Sequence, residues 1–470
     1  MSETGLTFRF DRGTLLLDWN GSSRIPETVT PLLEGVTWDE RVQGWRAPAW
    51  KYRELILSFP RAGLLYQDQA REFQPIDLPL RQDLQPRPYQ QEAAHAWLEQ
   101  QRGVVVLPTG AGKTILAVML ISRTARPTLI HVPTLDLMRQ WHTVLQEHFA
   151  CPIGLLGGGV QDLQPITVAT YDSALIHVPQ IGNRFGLLVF DECHHLPGDQ
   201  VQFTALGSIA PFRLGLTATP ERSDGREEVL YELCGPLCYE AHIDELQGRT
   251  LAPYDVQTVQ VQMLPEEEEA YWTQREKYTQ FLRQERIDMR GSGGWKNFLW
   301  KSSRSVRGRE AFQAYLAQKR LSQASAAKEE AVWNILRRHA QDRIIIFTQD
   351  NETAYRLGRN FFLPVLTHHT KLPERQAFLQ AFREGEYPVL VTSKVLNEGV
   401  DVPEANVGVV VSGSGSIREH VQRLGRILRG RPGKRALLYE LVSRNTGEQF
   451  VNKRRRQHRA YERSGSLPGT

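Results

Sequence analysis

A chain of 470 residues exceeds what one hydrophobic core supports, so several domains are expected. With 41% hydrophobic and 23% charged residues it has the composition of a soluble globular protein, and no run of about 18 apolar residues is present to span a membrane. The net charge of +4 conceals an asymmetry, because residues 417–470 carry 14 Lys/Arg against 4 Asp/Glu. Such a basic end points to a polyanionic partner or bound phosphates, with a solvated tail as the alternative for the last residues.

The opening MSETGLTFRF has no basic-then-apolar signal pattern, which sets a cytoplasmic expectation. Residues 1–80 contain short apolar runs such as TLLLDW and the stretch WDERVQGWRAPAWKYREL, read as a separate small α+β domain. The tryptophans there are expected in its core, with Arg46, Lys51 or Arg53 at its surface. Next come short runs rich in Val, Ile and Leu at 104–107, 128–132, 166–169, 187–190 and 212–216. Helix-forming segments separate them, notably 113–123 and 135–148, and this alternation predicts a buried parallel sheet. Four cysteines are too few for a disulfide framework, and Cys234 and Cys238 lack a second pair that would complete a metal site.

The strand pattern restarts at 344–347, 388–391, 407–411 and 436–439, with helices expected at 351–360 and 373–384. Between the two patterns, 265–325 is poor in β-branched residues and rich in Glu, Gln, Arg, Lys and aromatics, broken by Gly291-Ser292-Gly293-Gly294. That composition predicts a helical insertion. The expected domains are therefore 1–80, 81–250 and 251–470, the last carrying the insertion.

The chemistry starts at LPTGAGKT, 107–114, where the first buried strand meets a helix. The general phosphate-loop spacing wants glycine where Leu107 stands, but Gly110, Gly112, Lys113 and Thr114 fit it. Glycines let backbone N–H groups around Thr109 and Ala111 wrap phosphate oxygens at a helix N-terminus, where the dipole also favours an anion. Lys113 would neutralise the β- and γ-phosphates of ATP, and the Thr114 hydroxyl would ligate Mg2+. LLVFDECHH, 187–195, ends a strand in two carboxylates: Asp191 to hold Mg2+, and Glu192 to orient and deprotonate a water. His194 lies further along and is read as a relay of nucleotide state. In PRPYQQEA, 86–93, Arg87 and Gln90 suit adenine edges, the alternative being a helix start with Pro88 near its first position. QRLGRILR, 422–429, offers Arg423, Arg426 and Arg429 on one helix, arginines suited to the charge that develops in phosphoryl transfer.

Taken in order, PRPYQ, LPTGAGKT, HVPTLDLMRQW, VATYDS, DECH, LTATP, IIIFTQD, VTSKVLNEGVDVP and QRLGRILR resemble the motif set of superfamily-2 helicases over roughly 85–429. The resemblance implies two tandem RecA-like domains with ATP in their cleft. Lys113, Thr114, Asp191 and Glu192 would come from the first; Arg426 and Arg429 as fingers, with Gly399 and Asp401 near the ribose, from the second. Thr217 and Thr219 match the motif that couples hydrolysis to movement, with Gln422 in the last motif. His131, Pro133, Thr134, Thr170, Thr392 and Ser393 fall where the family lines a nucleic-acid backbone. After LTATP the chain resembles XPB-like helicases, which continue into an Arg-Glu-Asp signature; here Arg222, Ser223 and Asp224 stand in those places, and the central carboxylate is missing. The insertion corresponds to the family's thumb and the N-terminal module to its damage-recognition-like domain. Within the insertion, Trp295 and Trp300 beside Lys296 and Lys301 suit base stacking and phosphate contact, while Trp295, Phe298 and Leu299 equally form the buried face of a helix.

The resulting expectation is an ATP- and Mg2+-dependent DNA helicase or translocase of the XPB-like group. It would move 3′→5′ in DNA repair as a monomer on single-stranded or forked duplex DNA, with a nuclease as partner. Three alternatives stay open: a duplex translocase without strand separation, which Ser223 favours, an RNA helicase, and a nucleotide-switched clamp on damaged DNA.

Overall fold

The computed structural model describes residues 6–19, 35–63, 65–221, 224–246, 254–289, 293–393, 405–412 and 436–449. The chain divides into two compact units, Met1–His242 and Ile243–Thr470.

The first unit begins with β1 (Leu6–Asp11), β2 (Thr14–Trp19), β3 (Thr37–Asp39), β4 (Gly44–Pro48), α1 (Tyr52–Arg61) and β5 (Tyr66–Gln69). The strands form a five-stranded sheet in the order β3-β4-β2-β1-β5, antiparallel except for the β1–β5 pair. Alternation along the strands buries Leu6, Phe8, Leu15 and Leu17, and α1 covers them with Tyr52, Leu55 and Phe59 at helical spacing. Arg46 and Arg53 depart from the surface expectation. Arg46 pairs with Asp11 at 2.9 Å and Asp39 at 2.8 Å, and Arg53 donates to the carbonyls of Pro211 at 3.0 Å and Gln100 at 3.2 Å. The second of these contacts ties the module to the sheet that follows.

That sheet is built from α2 (Pro88–Gln100), β6 (Arg102–Val106), α3 (Lys113–Thr124), β7 (Thr128–Val132), α4 (Leu135–His148), β8 (Ile153–Gly157), β9 (Val160–Asp162), β10 (Ile166–Thr170), α5 (Tyr171–Ile181), β11 (Leu187–Asp191), α6 (Phe203–Leu206), β12 (Phe212–Thr217), α7 (Glu227–Cys234) and β13 (Leu237–Glu240). Its order is β13-β6-β12-β11-β7-β10-β8-β9, parallel except for the β8–β9 hairpin. Every residue of β7, β10 and β11 is buried. Helices on both faces exclude water, which is why these strands read as unbroken apolar runs. The loops that follow β6, β11 and β12 emerge at one edge of the sheet, the carboxyl ends of parallel strands, where α/β proteins bind ligands.

The second unit opens with the short α8 (Ile243–Leu246), followed by β14 (Tyr254–Val261), α9 (Pro265–Gln284), α10 (Gly294–Ser303), α11 (Val306–Gln323), α12 (Ala326–Arg338), β15 (Ile344–Phe347), α13 (Asn351–Phe361), β16 (Val365–Leu366), α14 (Leu372–Glu384), β17 (Val389–Thr392), β18 (Val407–Val410) and β19 (Ala436–Ser443). Six parallel strands run β14-β19-β18-β15-β17-β16. Helices α9 to α11 are the expected insertion, with a core of their own from Tyr278, Phe281, Ile287, Phe298, Ala311 and Ala314. The fold is thus α/β, with two tandem RecA-like domains, a small N-terminal α+β domain and a helical thumb-like insertion. Among the described residues no helix is long and apolar enough to cross a membrane.

Candidate nucleotide and nucleic-acid site

The loop between β6 and α3 has the backbone its sequence predicts. Gly110 and Gly112 take φ of 85° and 79°, values that a Cβ disfavours. At Gly112 a Cβ would also stand 2.5 Å from Gln90 Nε2. Helix α3 starts at Lys113 with no side-chain cap and no acidic residue in its first turn, leaving its N–H groups for an anion. Lys113 Nζ donates to Leu107 O at 3.1 Å, which holds the ammonium over the loop. Thr109 Oγ1 is buried and has no protein partner among the described residues. A positive-φ cradle, an uncapped helix start, a lysine over it and an orphaned hydroxyl fit a nucleotide polyphosphate.

Gln90, 4% exposed, braces this loop. Its Nε2 donates to the carbonyls of Ala111 at 3.2 Å and Gly112 at 3.1 Å, and its Oε1 accepts the Arg87 N–H at 2.9 Å. Tyr89 adds a hydroxyl bond to Ala111 O at 2.7 Å and accepts from the Arg87 guanidinium at 3.2 Å. The segment read as adenine recognition therefore also fixes the loop from behind.

At the end of β11, Asp191 is 6% exposed. Its Oδ1 accepts the Glu192 N–H at 3.0 Å and its Oδ2 accepts the Trp141 indole N–H at 2.7 Å. Burial pushes this carboxyl upward, against the pull of the Lys113 ammonium and the Trp141 bond. Asp191 and the Thr114 hydroxyl are hard oxygen donors, the class that Mg2+ takes. Glu192 sits in the left-handed region at φ 48°, a conformation costing on the order of 1–3 kcal/mol outside glycine. That turn brings Glu192 Oε2 to 3.4 Å from His194 Nδ1, which is itself 3.1 Å from Thr217 Oγ1. Because Thr217 Oγ1 donates to Thr219 O at 3.0 Å, it accepts from His194, and the imidazole proton belongs on Nδ1. His194, Thr217 and Thr219 are all buried. The structure thus brings the carboxylate pair at the end of β11 together with the threonines at the end of β12, as a coupling role requires.

The remaining expected residues separate clearly. Thr134 and Thr170 are the N-caps of α4 and α5, accepting N–H bonds from Leu137 and Ser173 at 3.2 Å each. Pro133 is partly exposed beside Thr134. His131 is 1% exposed inside β7, its ring stacked on Phe190 at 4.6 Å rather than facing solvent. Thr392 and Ser393, at the end of β17, are 0% and 2% exposed. On α10, Phe298 is buried, whereas Trp295, Leu299 and Trp300 are 40%, 39% and 52% exposed, so the expected buried face of Trp295, Phe298 and Leu299 reduces to Phe298. Trp295 leans on Tyr315 at 5.1 Å, Trp300 carries the Arg304 guanidinium 3.5 Å over its ring, and Lys296 is exposed. Lys301 instead donates to Glu285 O at 2.6 Å and pairs with its carboxylate at 3.2 Å. Asp224 is exposed, its Oδ1 accepting the Arg226 N–H at 3.4 Å. Arg222, Ser223, Gly399, Asp401, Gln422, Arg423, Arg426 and Arg429 lie outside the described residues.

Sequence reasoning passed over Trp141, Tyr171 and Gly157-Gly158-Gly159. The glycines turn β8 into β9 at positive φ, and a Cβ on Gly157 would stand 3.1–3.3 Å from Met138, Ser173 and Thr170. Three consecutive glycines after an apolar pair were the available signal.

Comparison with known proteins gives three family matches. Residues 8–70 match the Xeroderma pigmentosum group B helicase damage recognition domain, 83–222 the type III restriction enzyme res subunit, and 311–461 the ERCC3/RAD25/XPB C-terminal helicase. The DNA 3′-5′ translocase XPB2 of Sulfurisphaera tokodaii is 38% identical over 423 residues, covering 90% of this chain and 96% of its own. The DNA 3′-5′ helicases XPB of Kineococcus radiotolerans and Mycobacterium tuberculosis are 34% and 32% identical over 77% of this chain, which spans 60% and 61% of their lengths. Among solved structures, the Hef helicase domain of Pyrococcus furiosus shares the fold at a TM-score of 0.50 and 21% identity, over 81% of this chain and all of that one.

Proposed function

This chain belongs to the XPB family of superfamily-2 helicases, ATP-dependent enzymes that act on DNA, and on that premise we propose a 3′→5′ DNA motor that tracks along its substrate more than it separates strands. The observation that carries the motor reading is the junction at the sheet edge. The P-loop lysine, the Asp191–Glu192 pair and the His194–Thr217 contact converge there, so the carboxylate assigned to water activation is linked through His194 to the last residue of β12.

In this reading the α3 N-terminus and Lys113 bind the phosphates, and Thr114 with Asp191 hold Mg2+. The metal would neutralise charge on the β- and γ-phosphates. Glu192, turned toward the site by its left-handed backbone, orients the attacking water and takes its proton. His194 senses the state of Glu192 and passes it to Thr217. Arg426 and Arg429 are assigned to the developing charge and Gly399 with Asp401 to the ribose, by family resemblance. The α4 and α5 N-termini, at Pro133, Thr134 and Thr170, receive strand phosphates, and Lys296 with Trp300 on the thumb adds an exposed cation and ring.

Tracking without strong separation is favoured by Ser223, which removes the central carboxylate of the family's Arg-Glu-Asp signature. The relative that matches over 96% of its length is itself named a translocase. The deciding experiment compares ATP hydrolysis alone and with single-stranded DNA, forked duplex or RNA, alongside triplex displacement and fork unwinding. Stimulation by DNA with displacement far exceeding unwinding is expected. Equal stimulation by RNA, or no stimulation by any nucleic acid, overturns the proposal.

A further inference from the structure

Asp191 is gripped at two points by aromatic residues that lie outside its strand. Trp141, 1% exposed on α4, donates its single N–H to Asp191 Oδ2 at 2.7 Å. Tyr171, 4% exposed and first in α5, donates its hydroxyl to the main-chain carbonyl of Asp191 at 2.9 Å. An indole has one donor in a rigid plane, so this bond fixes the rotation of the carboxylate as well as its position. With Oδ1 taken by the Glu192 N–H, the lone pairs left for a metal or its water have a defined direction.

Both aromatics also belong to the two helices whose N-caps face the assigned strand path. Trp141 lies seven residues from Thr134, about two turns along α4 and therefore on the same side of it. Tyr171 adjoins Thr170 directly. A helix of this length moves as a rod, and an N–H bond weakens steeply once its angle closes below about 120°. A displacement at either helix start therefore reaches Asp191 through one rigid link.

We propose that Trp141 and Tyr171 are positioning residues that tie the α4 and α5 N-termini to Asp191, so that strand phosphates seated on those helices set the carboxylate for its metal. The proposal rests on Asp191 holding the metal and on those helix starts meeting the strand. By reciprocity, DNA tightens the metal by the factor by which the metal tightens DNA.

The test uses the full chain with ADP and reads Mn2+ affinity from the electron paramagnetic resonance of the free ion, with and without oligo(dT). In the wild type, DNA tightens Mn2+. Trp141→Phe keeps the ring and removes the donor; Mn2+ affinity should fall about tenfold, the worth of a hydrogen bond to a charged group, and the response to DNA should vanish. Tyr171→Phe should lower the response with a smaller change in affinity. Wild-type affinity and wild-type DNA response in both variants overturn the proposal. If Trp141→Phe fails to fold, as its melting temperature would show, Tyr171→Phe decides alone, since it lacks a single oxygen. Asp191→Asn separates this inference from the reading beneath it: unchanged Mn2+ binding there removes Asp191 as the metal residue, whereas lost binding there with unchanged Trp141→Phe refutes only the link.

Discussion

Two charged side chains are buried in neighbouring strands of the same sheet, one near each end, and they are satisfied in opposite ways. Arg213, 1% exposed near the start of β12, donates to four main-chain carbonyls: Ala205 at 3.0 Å, Ser208 at 2.9 Å, Ala210 at 3.3 Å and Leu233 at 2.8 Å. Its own carbonyl accepts the Trp97 indole at 2.9 Å. Asp191, at the end of β11, receives two N–H bonds for the roughly four lone-pair directions a carboxylate offers. A buried ion costs several kcal/mol of desolvation unless its neighbours replace water. At Arg213 they nearly do, and the residue clamps loops together. At Asp191 they stop short, which leaves lone pairs for a cation beside Lys113. Saturation marks the structural end of the sheet, and incomplete saturation marks the end to which the proposed chemistry is assigned.

The largest effect expected from this contrast is at the unsaturated end. Lys113→Ala removes the cation of the cradle and should cut ATP turnover by a factor on the order of 10³ or more, with the melting temperature nearly unchanged. Near-normal turnover in a steady-state assay would sink the assignment. At the saturated end the effect should invert. Arg213→Met keeps the length of the side chain but strands four buried carbonyls, and should destabilise the protein by about 3–5 kcal/mol in urea unfolding. At a temperature where the variant stays folded, its turnover should match the wild type. If Arg213→Met loses activity without losing stability, the two ends do not differ as argued.

How much of this was legible in the sequence follows the same division. The strands at 128–132, 166–170, 187–191 and 344–347 were readable because burial on both faces leaves a continuous apolar run, and the backbone of the loop at 107–114 because its glycine pattern is so narrow. The strands at 153–157, 160–162, 237–240, 254–261 and 365–366 escaped, being short, interrupted by glycine or half-polar at sheet edges. That Asp191, Glu192 and His194 close a buried strand could be read from their spacing. Their partners could not: Trp141 stands fifty positions from Asp191, and nothing local distinguishes it from any core tryptophan. For the same reason the sequence groups His131 with the nucleic-acid backbone contacts, although β7 carries it into the core. Burial is a tertiary property, and a polar residue in an apolar run gives no local sign of whether it faces ligand or protein.

His131 supplies the finest test, because it is a titratable group placed between the two ends. It lies on β7, on the far side of β11 from Arg213, with Nδ1 3.4 Å from Val189 O and its ring against Phe190 and Tyr171. Burial, aided by the Arg213 charge, pushes its pKa down to about 3, so the folded protein keeps it neutral. The unfolded chain takes up a proton near the ordinary value of about 6.5, while the folded one does not until far lower pH. The stability this residue permits is therefore complete above about pH 6.5 and is lost as pH falls toward about 3, at up to about 1.4 kcal/mol per pH unit. Between pH 7 and 5 that amounts to about 2 kcal/mol. Urea unfolding at the two pH values should show this loss in the wild type and a loss smaller by that amount in His131→Leu, while DNA-stimulated ATP hydrolysis at pH 7.5 stays unchanged. An identical pH dependence in both proteins would mean that His131 is protonated in the folded state, and a fall in DNA stimulation would return it to the strand path. Either result would place a working polar group in the middle of the sheet, where the contrast between Arg213 and Asp191 leaves room only for packing.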